Sequence, residues 1–179
     1  MRRFAAALLL SAMVAQADQR ETMSATASEA LALCHAADTA APSDRQAILA
    51  RGLERAEEAL RANSQDAAAH FAVFCNLGKR TALRRGALGL FGILSDVARV
   101  RREIDDTLAL APDYPEALAA KGQMLMELPP FLGGDREEGQ RLLHRAVVLE
   151  PNDHRMRSML AKSPEASSDE GCVECGALR

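Results

Sequence analysis

Between Glu127 and Gly139 the chain reads ELPPFLGGDREEG, two prolines and then two glycines set between runs of good helix formers. No other stretch constrains the fold as much. Proline removes a backbone donor and stops the helix before it, and paired glycines allow the chain to turn back sharply. Asp135-Arg136-Glu137-Glu138 then makes a capping box that opens a new helix. The segment therefore reads as a connector inside an antiparallel helix pair. The remainder agrees with helix throughout, because Ala, Leu, Glu and Arg abound and β-branched residues are sparse. Aromatics are only 3% and there is no Trp, so the core must be built from Ala, Leu, Met and a few Phe. The fold class is all-α, and 179 residues suffice for one domain with a real core.

Two more capping boxes mark helix starts. Ser43-Asp44-Arg45-Gln46 opens a helix running to about Ala62, and Asp113-Tyr114-Pro115-Glu116 places Pro in a first turn, where its missing N–H does no harm. Helices are expected near 44–62, 66–79, 81–110, 113–128 and 135–150, with a short capping helix near 153–161. In that last helix Met156, Met159 and Leu160 would seal the preceding pair while His154, Arg155 and Arg157 face water.

The start, MRRFAAALLLSAMVAQADQ, has the charged, apolar and small-residue zones of a secretory signal peptide cut after Ala17. Residues 1–17 are thus read as the signal, 18–162 as the helical domain and 163–179 as a disordered Ser/Glu/Gly tail. Asp18, not Cys, follows the cut, so a lipid anchor is not indicated. Losing Arg2 and Arg3 from 22 Lys+Arg leaves 20 against 25 Asp+Glu, a net charge near −5. That balance offers nucleic acid no global attraction. A periplasmic or secreted, bacterial location is expected.

Three segments close alike, with a small residue five positions before a stop: Ala59 to Ser64, Thr107 to Pro112 and Ala146 to Pro151. This spacing resembles the second helix of a tetratricopeptide (TPR) repeat. The four slots hold Gly139, Leu143, Ala146 and Pro151 in the last copy, Val100, Ile104, Thr107 and Pro112 in the middle one, and Gly52, Ala56, Ala59 and Ser64 in the first. The preceding helices supply Leu118, Gly122 and Leu125, and His70, Phe74 and Leu77, where Phe74 departs from the family's Gly. Ser64 to Pro112 spans 48 positions and Pro112 to Pro151 spans 39, against a repeat of about 34. The connector accounts for the excess in the second interval. Lengthened repeats with such a turn are similar to those of the T component of tripartite ATP-independent periplasmic transporters.

The resemblance implies a TPR-like helix-hairpin solenoid with lengthened repeats. It also implies a concave face that takes a protein or peptide, lined by Phe71, Cys75 and Lys79 on one helix and Glu116, Ala119, Gln123 and Met126 on another. Four cysteines, Cys34, Cys75, Cys172 and Cys175, allow three pairings in an oxidising compartment. In a TPR stack neighbouring first helices lie side by side, which makes Cys34–Cys75 a candidate disulfide.

Lys79, Arg80, Arg84, Arg85, Arg99, Arg101 and Arg102 face only Asp96 within their own segment, around Gly86, Gly89 and Gly92. One reading is a long helix packed along a smooth glycine face with solvated ends. The other is a surface, centred on Arg84 and Arg85, for an acidic peptide or for peripheral contact with anionic lipid headgroups. The motif CVEC at 172–175 offers two soft ligands where a structural zinc site needs four, and its tail context suits neither metal nor thioredoxin-like chemistry. His35, His70 and His144 have no nucleophile in a recognisable motif, and LGGD lacks the Lys and Ser/Thr of a phosphate loop. The sequence therefore reads as a non-enzyme without cofactor or metal, an exported interaction module. The alternative is a periplasmic transporter-accessory component that holds an apolar ligand between helices, and a weaker third is a redox or metal protein using Cys172 and Cys175.

Overall fold

A computed structural model describes residues 24–162, with the side chains of 85–94 outside the description. Among the described residues there are helices and no strand, and no helix is long and apolar enough to cross a membrane. The expected signal peptide and the tail with Cys172 and Cys175 lie outside the described residues. The chain forms two compact units that divide after Pro112.

In the first unit, helix α1 (Ala25–Thr39) and helix α2 (Pro42–Ala62) pack on each other and on helix α3 (Ala67–Leu110). On α1 the buried residues Ala27, Ala30, Leu31, Cys34 and Ala37 recur every three or four positions, one stripe of an amphipathic helix. Leu49, Gly52, Leu53, Ala56 and Ala59 form the matching stripe of α2. Small side chains let these helices approach closely, which is how a core short of aromatics fills its interior. Asn76 of α3 is fully buried, and its Nδ2 donates to the carbonyls of Ala30 and Ala72 at 3.0 and 2.9 Å. Its Oδ1 is buried without a hydrogen-bond partner and lies against Gly52, where a Cβ would fall 2.0 Å from it. The slot occupied by Gly52 is thus the space that Asn76 uses.

Helix α3 departs from expectation. Instead of two helices at 66–79 and 81–110, one helical element covers the 44 residues Ala67–Leu110. A straight helix of that length would span roughly 66 Å and hold residues fifteen apart at about 22 Å. Yet Thr81 Oγ1 donates to Asp96 Oδ2 at 3.1 Å, and His70 meets Glu103 at 2.7 Å. The chain therefore doubles back between Thr81 and Asp96. Gly78-Lys79-Arg80-Thr81 contains one glycine and no proline, so nothing there forces a stop. The glycines at 86, 89 and 92, read as a packing face, fall in the stretch whose side chains lie outside the described residues.

Gly78 itself lies within the first arm and has room: a Cβ there would meet only Val100 Cγ1, at 3.7 Å. Gly78→Ala is expected to stabilise the first unit by about 0.5–1 kcal/mol, since Ala is the better helix former and restricts the unfolded chain. Urea unfolding at unchanged m-value checks this, and a fall in midpoint would contradict it.

In the second unit, helix α4 (Pro115–Glu127) and helix α5 (Arg136–Leu149) form an antiparallel pair joined by the connector, whose Pro130–Leu132 makes one 3-10 turn. Helix α6 (His154–Lys162) packs on α5. Leu118, Gly122 and Leu125 on α4 face Gly139, Leu143 and Ala146 on α5, all buried. Met156 of α6 is fully buried and Met159 and Leu160 half-buried, while His154, Arg155 and Arg157 are exposed. Asp153 caps α6 by accepting from the N–H groups of Met156 and Arg155, and those bonds hold its carboxyl below the usual carboxylate range.

The caps sort unevenly. Asp135 accepts from Glu138 N at 3.0 Å, as its box predicts. The box at Ser43 is not formed: Pro42 starts α2 one residue earlier, so Ser43 is already helical and its hydroxyl donates to Asp44. Asp113 does not cap α4 either, because its carboxylate is paired with Arg145 of α5. Asp66 caps α3 by accepting from Ala68 N and Ala69 N, and it also takes the N–H of Ser24 at 3.3 Å.

Candidate functional site

The residues assigned to a concave binding face have distinct fates. Phe71 is 6% exposed and stacks on Phe74 with ring centroids 5.8 Å apart. Cys75 is joined to Cys34 by a disulfide with a Cα separation of 6.2 Å, tying α3 to α1. Lys79 donates to Asp38 at 2.6 Å and to the Cys34 carbonyl at 3.0 Å. These three side chains are thus held by their own unit. In the second unit Glu116 and Met126 are half-buried, and Ala119 is buried. Met126 packs at Gly139, and Gln123 is exposed and donates to Glu127 at 2.7 Å.

The basic segment is less free than its sequence suggests, because acids from other helices reach it. Arg99 pairs with Glu57 of α2 at 2.8 Å and with Glu103 at 3.4 Å. Burial opposes its charge, yet the hydrogen bonds and charges of Glu57 and then Glu103 prevail and raise its pKa above the ordinary arginine value. Arg84 is half-buried, Arg102 is exposed, and the side chain of Arg85 lies outside the described residues.

Both ring nitrogens of His70 are engaged, Nδ1 with Glu103 Oε2 at 2.7 Å and Nε2 with the Ser64 carbonyl at 3.1 Å. Asp106, one turn beyond Glu103, completes a group of three potential ligands. Sequence reasoning missed this group, since His70 and its carboxylates are separated by the whole reversal of α3. The i, i+3 pair Glu103 and Asp106 was the one local sign of it.

A second feature missed from sequence is Phe131. It stands in the 3-10 turn of the connector and is 84% exposed. Its platform is closely determined. Gly133 N donates to Pro130 O at 2.8 Å, Gly134 N to Pro129 O at 3.0 Å, and Asp135 N to Leu125 O at 3.0 Å. Gly133 adopts φ 78°, and a Cβ on Gly134 would fall 1.8 Å from the Leu128 carbonyl oxygen. A Phe flanked by Pro-Pro and Gly-Gly has no helical face through which to be buried, and that was the legible signal.

These features define an all-helical protein carrying a disulfide-tied unit and a helix pair that presents an aromatic side chain. No protein-family model matches the sequence, and no curated protein does.

Proposed function

We propose that the protein is an exported, TPR-like helical module that binds another protein and has no catalytic role, with Phe131 as an anchor of the contact. The observation that carries this reading is the exposure of Phe131 on a turn fixed by two prolines, two glycines and four backbone hydrogen bonds, the fourth from Leu132 N to the Pro129 carbonyl. A large apolar side chain held outward on a rigid platform costs solvation when free and loses little entropy on docking, the profile of an interface anchor. The antiparallel packing of α4 on α5 through small residues supports the TPR-like reading of this pair, and the Cys34–Cys75 disulfide supports export to an oxidising compartment. An open depression of about 220 Å³ in the first unit is lined by Leu33, Arg51, Glu54, Arg55, Glu58 and Arg61, a charged wall ill suited to an apolar ligand.

Phe131→Ala should leave the melting temperature unchanged, because the ring is almost wholly solvated. It should weaken partner binding by roughly 30-fold, the equivalent of a 2 kcal/mol hot spot. A photo-crosslinking residue at position 131, expressed with the native export signal, identifies what the ring touches. The reading is abandoned if position 131 yields no crosslinked species while crosslinkers on α4 do.

A further inference from the structure

The reversal of α3 brings an imidazole nitrogen of His70 and carboxylate oxygens of Glu103 and Asp106 within 4.8 Å of one another. Nε2 of His70 faces the Ser64 carbonyl, which can only accept, so Nε2 carries a hydrogen and donates. Nδ1 lies 2.7 Å from a carboxylate oxygen, Glu103 Oε2, which is again an acceptor. Two lone pairs do not face each other at that distance unless a cation stands between them, either a proton or a metal ion. The surroundings also call for positive charge. Glu57 and Glu103 both pair with Arg99, and Asp106 adds a third carboxylate, so these four side chains beside a neutral imidazole carry two net negative charges.

We propose that His70, Glu103 and Asp106 form a binding site for one divalent transition-metal ion of the Zn²⁺ class, the metal replacing the proton between His70 Nδ1 and Glu103. Mixed nitrogen and carboxylate donors suit Zn²⁺ or Co²⁺, whereas Ca²⁺ takes oxygen alone. The Ser64 carbonyl on Nε2–H is the outer-sphere partner that fixes the tautomer of a metal-bound histidine. Bond lengths of about 2.0–2.1 Å in tetrahedral geometry set ligand atoms about 3.3 Å apart. Reaching that from the present arrangement needs Nδ1 and Oε2 to part by about 0.6 Å while the exposed Asp106 carboxylate swings inward. His70 and Glu103 are 14% and 12% exposed, so the ion would be sheltered on one side and open to water beside Asp106. This inference is independent of the partner-binding reading.

The test uses the full chain with the Cys34–Cys75 disulfide intact and with Cys172→Ser and Cys175→Ser, so that tail thiols cannot compete. After chelator treatment, Zn²⁺ is titrated in by calorimetry, with Co²⁺ absorbance as an independent readout. One ion per chain and a raised melting temperature are expected. Asp106→Asn, at an exposed position, should keep the metal-free melting curve and weaken binding at least about tenfold, and His70→Gln should weaken binding by at least as much. Absence of binding, or equal binding by both variants and the parent, overturns the proposal and leaves His70–Glu103 as a proton-bridged pair.

Discussion

Replacing Cys34 and Cys75 together by serine is expected to lower the stability of the first unit by about 4 kcal/mol. The bridge closes a sequence separation of 41 residues, and the chain-entropy model assigns a loop of that size about 4 kcal/mol. Cys34 is fully buried beside Ala37 and Leu49, with Ile48 and Cys75 packed on them. Serine in its place adds a buried hydroxyl to the loss. The double alanine variant separates the two effects, because it removes the bridge without adding a polar group. Denaturant unfolding with and without reductant checks this: reductant should destabilise the parent and leave either double variant unmoved. Equal midpoints for oxidised and reduced parent would mean that the bridge contributes nothing to folding.

The second large effect is expected at the crossing of α4 and α5. A Cβ on Gly122 would fall 2.6 Å from the Gly139 carbonyl oxygen, and a Cβ on Gly139 would fall 2.6 Å from the Gly122 carbonyl oxygen. The contact is reciprocal, and the obstructing atoms are backbone. Alanine in a helix is worth about 1 kcal/mol over glycine, the gain expected at Gly78. At Gly122 and Gly139 the two helices must separate to admit the methyl group, and such overpacking costs about 1–3 kcal/mol. Gly122→Ala and Gly139→Ala should therefore each destabilise the second unit, and valine at either position should abolish the pair. Because both residues occupy one crossing, the double alanine variant should cost less than the sum of the singles: once the helices have parted, the second methyl enters a gap already opened. Urea midpoints for the three variants, read beside Gly78→Ala, measure this contrast between glycines that share one chemistry and differ only in their neighbours.

Local chemistry made part of this protein legible in its sequence. Pro129, Pro130, Gly133 and Gly134 break the chain between α4 and α5, and Asp135 caps the helix that follows, because each effect acts within four or five residues. The buried stripes of α1, α2 and α5, and the burial of Met156 against the exposure of Arg155 and Arg157, follow from helical periodicity. The Ser43 and Asp113 boxes show where local rules give way: Pro42 began its helix first, and Arg145 claimed the Asp113 carboxylate from another helix.

Tertiary structure alone decided the rest. The sequence places a break near residue 80, but the two arms of α3 pack on each other and the chain reverses between Thr81 and Asp96 instead. That reversal brings His70 to Glu103 and Asp106 across the fold, and it sets Gly78 against Val100. Arg99 looked like part of a free basic surface until α2 brought Glu57 against it. The disulfide is equally non-local: its cysteines were two of four, and which pair closes depends on α1 lying along the first arm of α3. Periodicity assigns a residue to a face, but long-range packing determines what that face meets.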